Sequence, residues 1–200
     1  MSAQKKVSEN ADRGESTRKH IVAIARAEFA RHGFAGASLS KITQRAGITT
    51  GAIYHHFKDK RSLFQAVAES VEEEILTTIS REPLPSDRWQ AFTVAIDRAL
   101  DACSVPDVAR IVFQEAPTVI GPAEWREIEV KYALGTVLGL IEGLRTEGQI
   151  DSGDTGLIAQ ILLGAVIEAA TAVANSTTPD ITLAQAKRTL RMMIESLRSQ

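Results

Sequence analysis

Apolar residues recur along this chain at intervals of three and four positions, the spacing of one face of an α-helix. We find no sustained alternation of apolar and polar residues rich in Val, Ile and aromatic residues, so strands are not expected. All six prolines lie after residue 82, which leaves the earlier part of the chain free to form helices separated by glycine turns. The pattern therefore predicts an all-α fold of about nine helices.

Capping residues bound the first predicted helix. Ser16 is a suitable N-cap for a helix over 17–32, and Gly33 lies just past its end. The preceding residues, 1–15, are polar and contain no apolar run of the kind found in a signal peptide. We expect these residues to form a flexible N-terminal arm.

Two short helices are predicted within 38–57. Ser38 caps the first of them and Gly47 stops it, whereas Thr49 or Thr50 begins the second. Apolar residues at helical spacing give both helices a buried underside. Two short helices joined by a glycine turn have the form of a helix-turn-helix, in which the second helix enters the major groove of DNA.

A long helix is predicted from Asp59 or Lys60, and the Pro-rich segment 81–87 is expected to mark a domain junction. Pro122 suits the first turn of a helix, and Pro179 suits the loop before the last helix. The buried stripe predicted for the long helix is Leu63, Phe64, Val67, Val71, Ile75 and Ile79. The later helices are predicted near 86–102, 106–115, 122–147, 154–175 and 182–198.

The net charge of -2 hides an uneven distribution. Residues 1–64 contain 12 Lys and Arg against 5 Asp and Glu, whereas residues 65–200 contain 11 against 20. A basic segment joined to an acidic one indicates that a polyanion is bound at one end of the molecule. An accidental division of charge is the alternative.

The exposed face of the second short helix carries groups suited to base edges and phosphates. Five basic side chains add positive charge nearby: Lys41, Arg45, Lys58, Lys60 and Arg61. The predicted DNA-binding residues are Ser38, Lys41, Arg45, Thr49, Thr50, Gly51, Ala52, Tyr54, His55, His56 and Lys60.

Several other kinds of site are not expected. The single cysteine, Cys103, excludes an intrachain disulfide framework and indicates a reducing compartment, by default the cytoplasm. Its thiol is either simply buried or a redox sensor. His55 and His56 point about 100° apart on a helix without a further ligand, so no metal site is expected. No catalytic motif is found, and the longest charge-free run, 155–167, is shorter than the roughly 20 residues of a membrane-spanning helix.

Residues 17–63 resemble the N-terminal signature of the TetR/AcrR family of transcriptional regulators nearly position by position. The resemblance implies a helix-turn-helix DNA-binding domain over 16–62 and a helical ligand-binding and dimerisation domain over 63–200. The matching residues are Thr17, Arg18, Ile21, Ala25, Phe29, Gly33, Phe34, Ser38, Leu39, Ile42, Ala46, Gly47, Ile48, Thr49, Gly51, Ile53, Tyr54, His56, Phe57, Lys60 and Leu63.

The resemblance also implies roles for individual residues. Residues 50–52 would lie closest to the bases, Tyr54 and His56 nearer the phosphates, and Lys60 against the DNA backbone. Thr43 and Thr50 depart from the family pattern, which commonly has alanine and lysine there. The second difference removes a potential phosphate or guanine contact, so no operator sequence can be transferred from a relative.

The last two predicted helices are candidates for a dimer interface. The final helix has a narrow apolar seam, and the helix before it is apolar almost all round. Periodicity alone fits the core of a monomer equally well, whereas the resemblance implies a homodimer. A two-fold dimer would place its recognition helices about 34–36 Å apart and require a near-palindromic operator. The predicted interface residues are Ile158, Ile161, Leu162, Ala165, Leu183, Ala186, Leu190, Met193 and Leu197.

Aromatic residues of the C-terminal part are candidates for an effector pocket, with a few polar side chains as anchors. Plain core packing is an equal alternative for each of them. Glu168 lies in an apolar stretch, so it is expected to be exposed, paired across the dimer or facing a ligand. The predicted pocket residues are Phe92, Arg110, Phe113, Trp125, Glu129 and Tyr132.

These features together predict a DNA-binding repressor that an unidentified small-molecule effector releases from its operator. No other cofactor is expected. One alternative is a helical small-molecule-binding protein or enzyme that lacks specific DNA binding. A second alternative is a nonspecific architectural DNA binder, which would show a steep salt dependence and little sequence preference.

Overall fold

The structure, a computed structural model, describes residues 2–150 and 153–199, with the side chains of 14–150 and 153–199. Within these ranges the chain forms no strand, and a single antiparallel bridge joins Ile150 to Arg198. The predicted all-α fold is therefore confirmed.

The helices follow one another with short connections. A π-helical segment, Ala109–Glu115, joins α6 to α7 in one uninterrupted helical run. If this run is counted once, the described ranges hold nine helices, as predicted. The helices are α1 (Ser2–Gly36), α2 (Leu39–Ala46), α3 (Thr50–His56), α4 (Lys60–Ser80), α5 (Arg88–Cys103), α6 (Pro106–Val108), α7 (Ala116–Val119), α8 (Pro122–Thr146), α9 (Thr155–Ala174) and α10 (Pro179–Glu195).

The chain divides into two compact units, Met1–Ser70 and Val71–Gln200. The division falls inside α4 and not in the Pro-rich segment 81–87, so that predicted junction is wrong. The side chain of Arg98 holds the Pro-rich segment in the second unit, because its Nη1 donates hydrogen bonds to the carbonyls of Ile79 (3.2 Å) and Glu82 (2.7 Å).

The first helix is longer than predicted. It begins at Ser2, so the backbone expected to be a flexible arm over 1–15 is helical in its described part. No proline interrupts this stretch, and its Ala, Gln, Lys and Glu residues have high helix propensity. Gly33 breaks the regular helix as expected, with φ 69° and ψ 173°.

The two short helices are bounded by the predicted capping residues. The Oγ of Ser38 accepts a hydrogen bond from the Lys41 amide at 3.4 Å, and the Oγ1 of Thr49 accepts one from the Ala52 amide at 3.2 Å. Gly47 ends α2 in the left-handed conformation, with φ 65° and ψ 29°. Local sequence thus sets both ends of the turn between α2 and α3.

Three aromatic rings form the centre of the first unit. The Phe64 ring of α4 lies edge-on to Phe29 at 5.0 Å and to Phe34 at 5.4 Å between centroids. Ile42 from α2 and Ile53 from α3 are fully buried in the core of the same unit. The six residues predicted as the buried stripe of α4 are all buried.

The second unit is built around α9, which packs against α5, α8, α10 and the π-helical segment. Ion pairs from Arg191 to Asp97 and from Lys187 to Asp101 join α10 to α5. Pro122 occupies the first turn of α8 as predicted. Pro179 does the same for α10, so its predicted place in the preceding loop is wrong; its missing amide is not needed in a first turn.

One helix of the described ranges, α9, is long and apolar enough to cross a membrane by length and composition. A core helix of a globular protein passes the same criterion. The buried residues of α9, among them Leu162, Leu163 and Val166, pack within the second unit, and Glu168 of the same helix is exposed.

We predict that Gly47→Ala lowers the free energy of unfolding by about 1–2 kcal/mol, because an L-residue in the left-handed conformation brings its Cβ against the following carbonyl. Gly36→Ala is the matched control: its φ is not positive, and the added Cβ would meet only the Cβ of His32, at 3.6 Å. Urea unfolding followed by circular dichroism measures both variants. Equal losses of stability would contradict this account of the turn.

Candidate nucleic-acid interface and cavity

The outer face of α3 is exposed and polar. Tyr54 is 54% exposed, and Thr50, Gly51 and His55 are exposed beside it. His56 is half-buried, with its ring 5.2 Å from that of His55. The opposite face carries Ile53, which is fully buried and anchors the helix. This seven-residue helix is therefore held by its buried side and exposes hydroxyl, imidazole and backbone groups on the opposite side.

The predicted DNA-binding residues outside the outer face of α3 have different surroundings. Lys41 is exposed, and Thr49 is exposed as the cap of α3. The hydroxyl of Ser38 already caps α2, and Ala52 is half-buried. Lys60 Nζ donates to the Ala35 carbonyl at 3.3 Å and lies 4.9 Å from the Phe34 ring centroid.

A buried carboxylate in α1 holds the position of α2. Glu28 has no exposed surface, and one of its oxygens accepts a hydrogen bond from the Ser38 amide at 3.4 Å. Its other oxygen lies 3.4 Å from Nη1 of Arg45 and 3.9 Å from Nε2 of His32. Glu28 thus contacts both ends of α2. Glu28 is not among the predicted site residues, although its position seven after Ile21 places it on the buried face of α1.

Thr43, which differs from the common family pattern, is accommodated in α2 with its hydroxyl hydrogen-bonded. Thr43 is buried, and its hydroxyl donates to the Ser40 carbonyl at 2.8 Å. The hydroxyl therefore adds a local hydrogen bond on the underside of the helix pair and does not disturb it.

The second unit contains an apolar cavity. Its volume is about 80 Å³, and it lies between α4, α5, the π-helical segment, α8 and α9. Its polar lining consists of Glu72, Cys103, Glu129 and Thr136. Apolar walls with a few polar groups are typical of small-molecule sites.

The two carboxyl groups of the cavity are perturbed by burial. Burial raises the pKa of Glu72 to about 8, and repulsion from Glu129 adds to the effect. Burial also raises the pKa of Glu129, whereas Arg126, 3.5 Å away, and the indole of Trp125 lower it. Glu72 is not among the predicted pocket residues, although it lies four residues after the buried Ala68 and three before the buried Ile75.

Two of the six residues predicted for the pocket, Phe113 and Glu129, line this cavity. Phe92 is buried beside Trp89, with ring centroids 6.1 Å apart. The other three residues lie off the cavity wall as well. Arg110 is paired with Glu115 at 3.1 Å. Trp125 is buried in α8 near Glu129, and the ring of Tyr132 lies under the ammonium of Lys131. Helix registers decide which residues of an apolar face reach a cavity, and periodicity does not supply them.

Cys103 is buried and lines the same cavity. Burial and the carboxylates of Glu72 and Glu129 raise the pKa of its thiol above the usual range. A thiol in these surroundings carries little of the thiolate that oxidation requires. The geometry thus favours the simply buried cysteine of the two interpretations.

The residues predicted for a dimer interface divide into two groups. Leu162 and Leu190 are buried inside the unit, where α9 and α10 pack together, so they present little surface to a second copy. Ile161 and Met193 are 60% and 48% exposed, and the remaining predicted residues, Ile158, Ala165, Leu183, Ala186 and Leu197, are half-buried. Three further exposed apolar residues were missed: Leu157, Ile181 and Met192.

Both units match known families. Residues 21–67 match the bacterial regulatory proteins of the tetR family, and residues 89–197 match the tetracyclin repressor-like C-terminal domain. The second match alone spans more than half of the chain. Together they cover the helix-turn-helix and most of the unit that contains the cavity.

Individual relatives extend the comparison. The TetC protein of transposon Tn10 from Escherichia coli is 29% identical over 150 residues, which is 75% of this chain and 76% of that protein. The transcriptional repressor AcnR of Corynebacterium efficiens is 37% identical over 73 residues, 36% of this chain and 39% of that protein. The crystal structure of a TetR-family transcriptional regulator from Pectobacterium atrosepticum is 30% identical, with a TM-score of 0.82 over 94% of this chain and 97% of that one. This chain therefore belongs to the TetR family of bacterial transcriptional regulators.

Proposed function

We propose that this protein is a repressor that binds a near-palindromic operator as a homodimer in the cytoplasm and releases it when a small molecule occupies the cavity. The observation that carries the DNA-binding part is the outer face of α3, which is exposed and polar above a fully buried Ile53. The predicted DNA-binding residues remain predictions, with α3 as the recognition helix. The charge of residues 1–64, with 12 basic against 5 acidic side chains, supports a polyanionic partner.

The exposed apolar residues of α9 and α10 support a homodimer. Leu157 and Ile161 are one helical turn apart on α9, and Ile181 and Met192 lie on α10; each is more than half exposed. Burying such side chains against a second copy would remove a large apolar area from water. The exposed Glu168 of α9 would lie at or near this surface and would need a polar partner there.

The route from effector to DNA runs through α4 in this proposal. Ile75 and Ile79, in the second half of α4, line the cavity, and Lys60 begins the same continuous helix. An effector that moves the second half of α4 therefore acts on the helix that begins next to the helix-turn-helix. It releases DNA only if it binds the DNA-free conformation more tightly than the DNA-bound one.

The two alternatives predict different behaviour. A small-molecule-binding protein or enzyme without a DNA-binding role would show no specific DNA affinity. An architectural protein would bind all duplexes with similar affinity. AcnR and the Pectobacterium atrosepticum protein named above are transcriptional regulators, which supports a regulator without catalytic activity.

We predict that selection from a random duplex pool at near-physiological salt enriches one near-palindrome. The double variant Tyr54→Ala, His56→Ala should bind this duplex at least about tenfold more weakly, because it loses the contacts of the recognition helix. The matched control, Glu142→Ala with Arg145→Ala, removes two exposed side chains of α8 without changing the net charge and should bind normally. No enrichment, or equal binding by both variants, would contradict the assignment of α3.

We predict that Ile161→Arg converts the dimer to a monomer, weakening association by about a hundredfold or more, because the interface would bury an unpaired charge. The fold should be retained, since Ile161 is already 60% exposed. Val105→Arg, at an apolar residue 46% exposed between α5 and α6, is the matched control and should remain dimeric. Sedimentation velocity distinguishes the outcomes, and a monomeric wild type would disprove the proposed assembly.

A further inference from the structure

The titratable side chains that line the cavity are all acidic. Glu72 from α4 and Glu129 from α8 line it, and no Lys, Arg or His is among the lining residues of the described ranges. The remaining polar groups on the wall are the Cys103 thiol from α5 and the Thr136 hydroxyl. The cavity is therefore apolar and acidic.

Glu72 has no partner that accounts for its burial. It is only 7% exposed, and among the described residues it makes no hydrogen bond or ion pair. Glu129 differs, because Arg126 lies 3.5 Å from one of its oxygens. A carboxyl group removed from water without a partner is costly, so natural proteins seldom retain one without a function. Its place on the wall of the cavity indicates a ligand as the missing partner.

We infer that the effector is an organic cation with an apolar body, and that its positive group lies between the side chains of Glu72 and Glu129. The regulatory role of this ligand rests on the proposed function, whereas its binding in the cavity does not depend on DNA binding. The apolar walls, which include Ile75, Phe113 and Leu163, take the body of the ligand. An anion of the same shape would meet two acidic groups and no compensating charge.

The first test compares three probes that share one unbranched chain: octylammonium, octan-1-ol and octanoate. Wild-type protein should bind octylammonium about tenfold or more tightly than octanol, and octanoate most weakly, because a hydrogen bond between two charged groups is stronger than a neutral one. Isothermal titration calorimetry measures the affinities, and Trp125, next to Glu129, gives a fluorescence signal. If octanol or octanoate binds as tightly as octylammonium, the inference is wrong.

The second comparison in this test uses Glu72→Gln, which keeps the shape of the side chain and removes its ionisation. The preference for octylammonium over octanol should fall several-fold in this variant. Glu73→Gln changes the exposed neighbour on the same helix and should keep the wild-type preference. Equal losses in both variants would contradict a specific role for Glu72. The probe comparison in the wild type stays decisive even if a variant folds poorly.

DNA binding is measured on the same samples, so that failures can be told apart. Discrimination between the probes without operator binding supports the cationic site and contradicts the regulatory role. Operator binding without discrimination between the probes supports the regulatory role and overturns the cationic site. Release of the operator by octylammonium, with no release by octanol at equal concentration, supports both.

Cation binding should also depend on pH. The probe for this measurement is octyltrimethylammonium, because its charge is permanent and only the protein titrates. Since the pKa of Glu72 is raised to about 8 in the free protein, a cation that requires its carboxylate must displace a proton below that pH. Affinity should therefore rise from pH 6 to pH 8 by up to about tenfold per unit, then level off. The groups that face Glu72 are Glu129 from α8, whose negative charge favours the protonated carboxyl, and the Cys103 thiol from α5, which is uncharged because its pKa is raised.

The Glu72→Gln variant separates the contribution of Glu72 from that of Glu129, whose pKa is also raised. The slope of affinity against pH should become shallower in Glu72→Gln and stay unchanged in Glu73→Gln. An affinity that is flat or falls with pH in the wild type would overturn the inference.

Discussion

Glu28 holds a carboxylate that has no contact with water, and the arrangement of the helix-turn-helix depends on how that charge is satisfied. Its partners are the amide of Ser38 at the start of α2, the guanidinium of Arg45 near its end and the imidazole of His32. Removal of the Arg45 guanidinium would leave this buried carboxylate with only the Ser38 amide and the His32 imidazole as partners, which is destabilising. α2 is therefore restrained at both ends, and α3 follows it through a turn whose conformation Gly47 determines. The outer face of α3 is presented at a fixed angle because of this interior charge.

The same physical constraint has a different outcome in the second unit. Glu72 and Glu129 are buried together, and Arg126 compensates one of them only in part. The free protein meets the constraint by protonation of Glu72, whose pKa is about 8. A protonated carboxyl in an apolar wall is less costly than a carboxylate, and in our proposal it loses its proton when a cation binds. One type of buried group would thus stabilise a fixed surface in one unit and provide a ligand-dependent charge in the other.

The sequence predicted the features that depend on nearby residues. The caps at Ser38, Thr49 and Gly47 and the buried stripe of α4 follow from local hydrogen bonding and helical spacing. Features that depend on packing between distant helices were predicted poorly. In the nearly all-apolar α9, spacing cannot distinguish the buried Leu162 from the exposed Ile161. The π-helical segment adds one residue to a turn, so periodicity does not distinguish Phe113, which lines the cavity, from Arg110 of the same segment, which does not.

The free energy available from one cavity limits how the proposed switch can work. A hydrogen bond to a charged group contributes about 1.5–3 kcal/mol, whereas moving a two-state equilibrium from 1:99 to 99:1 requires about 5.5 kcal/mol of differential binding. The charged hydrogen bond of one cation with Glu72 therefore falls short by itself, even if the pair exists in only one conformation. Two cavities in a homodimer would contribute about 3–6 kcal/mol, provided that both cations favour the same conformation. In the proposed homodimer, association through α9 and α10 would therefore have an energetic consequence beyond the spacing of two recognition helices, since it would couple two modest binding events to a single release of DNA.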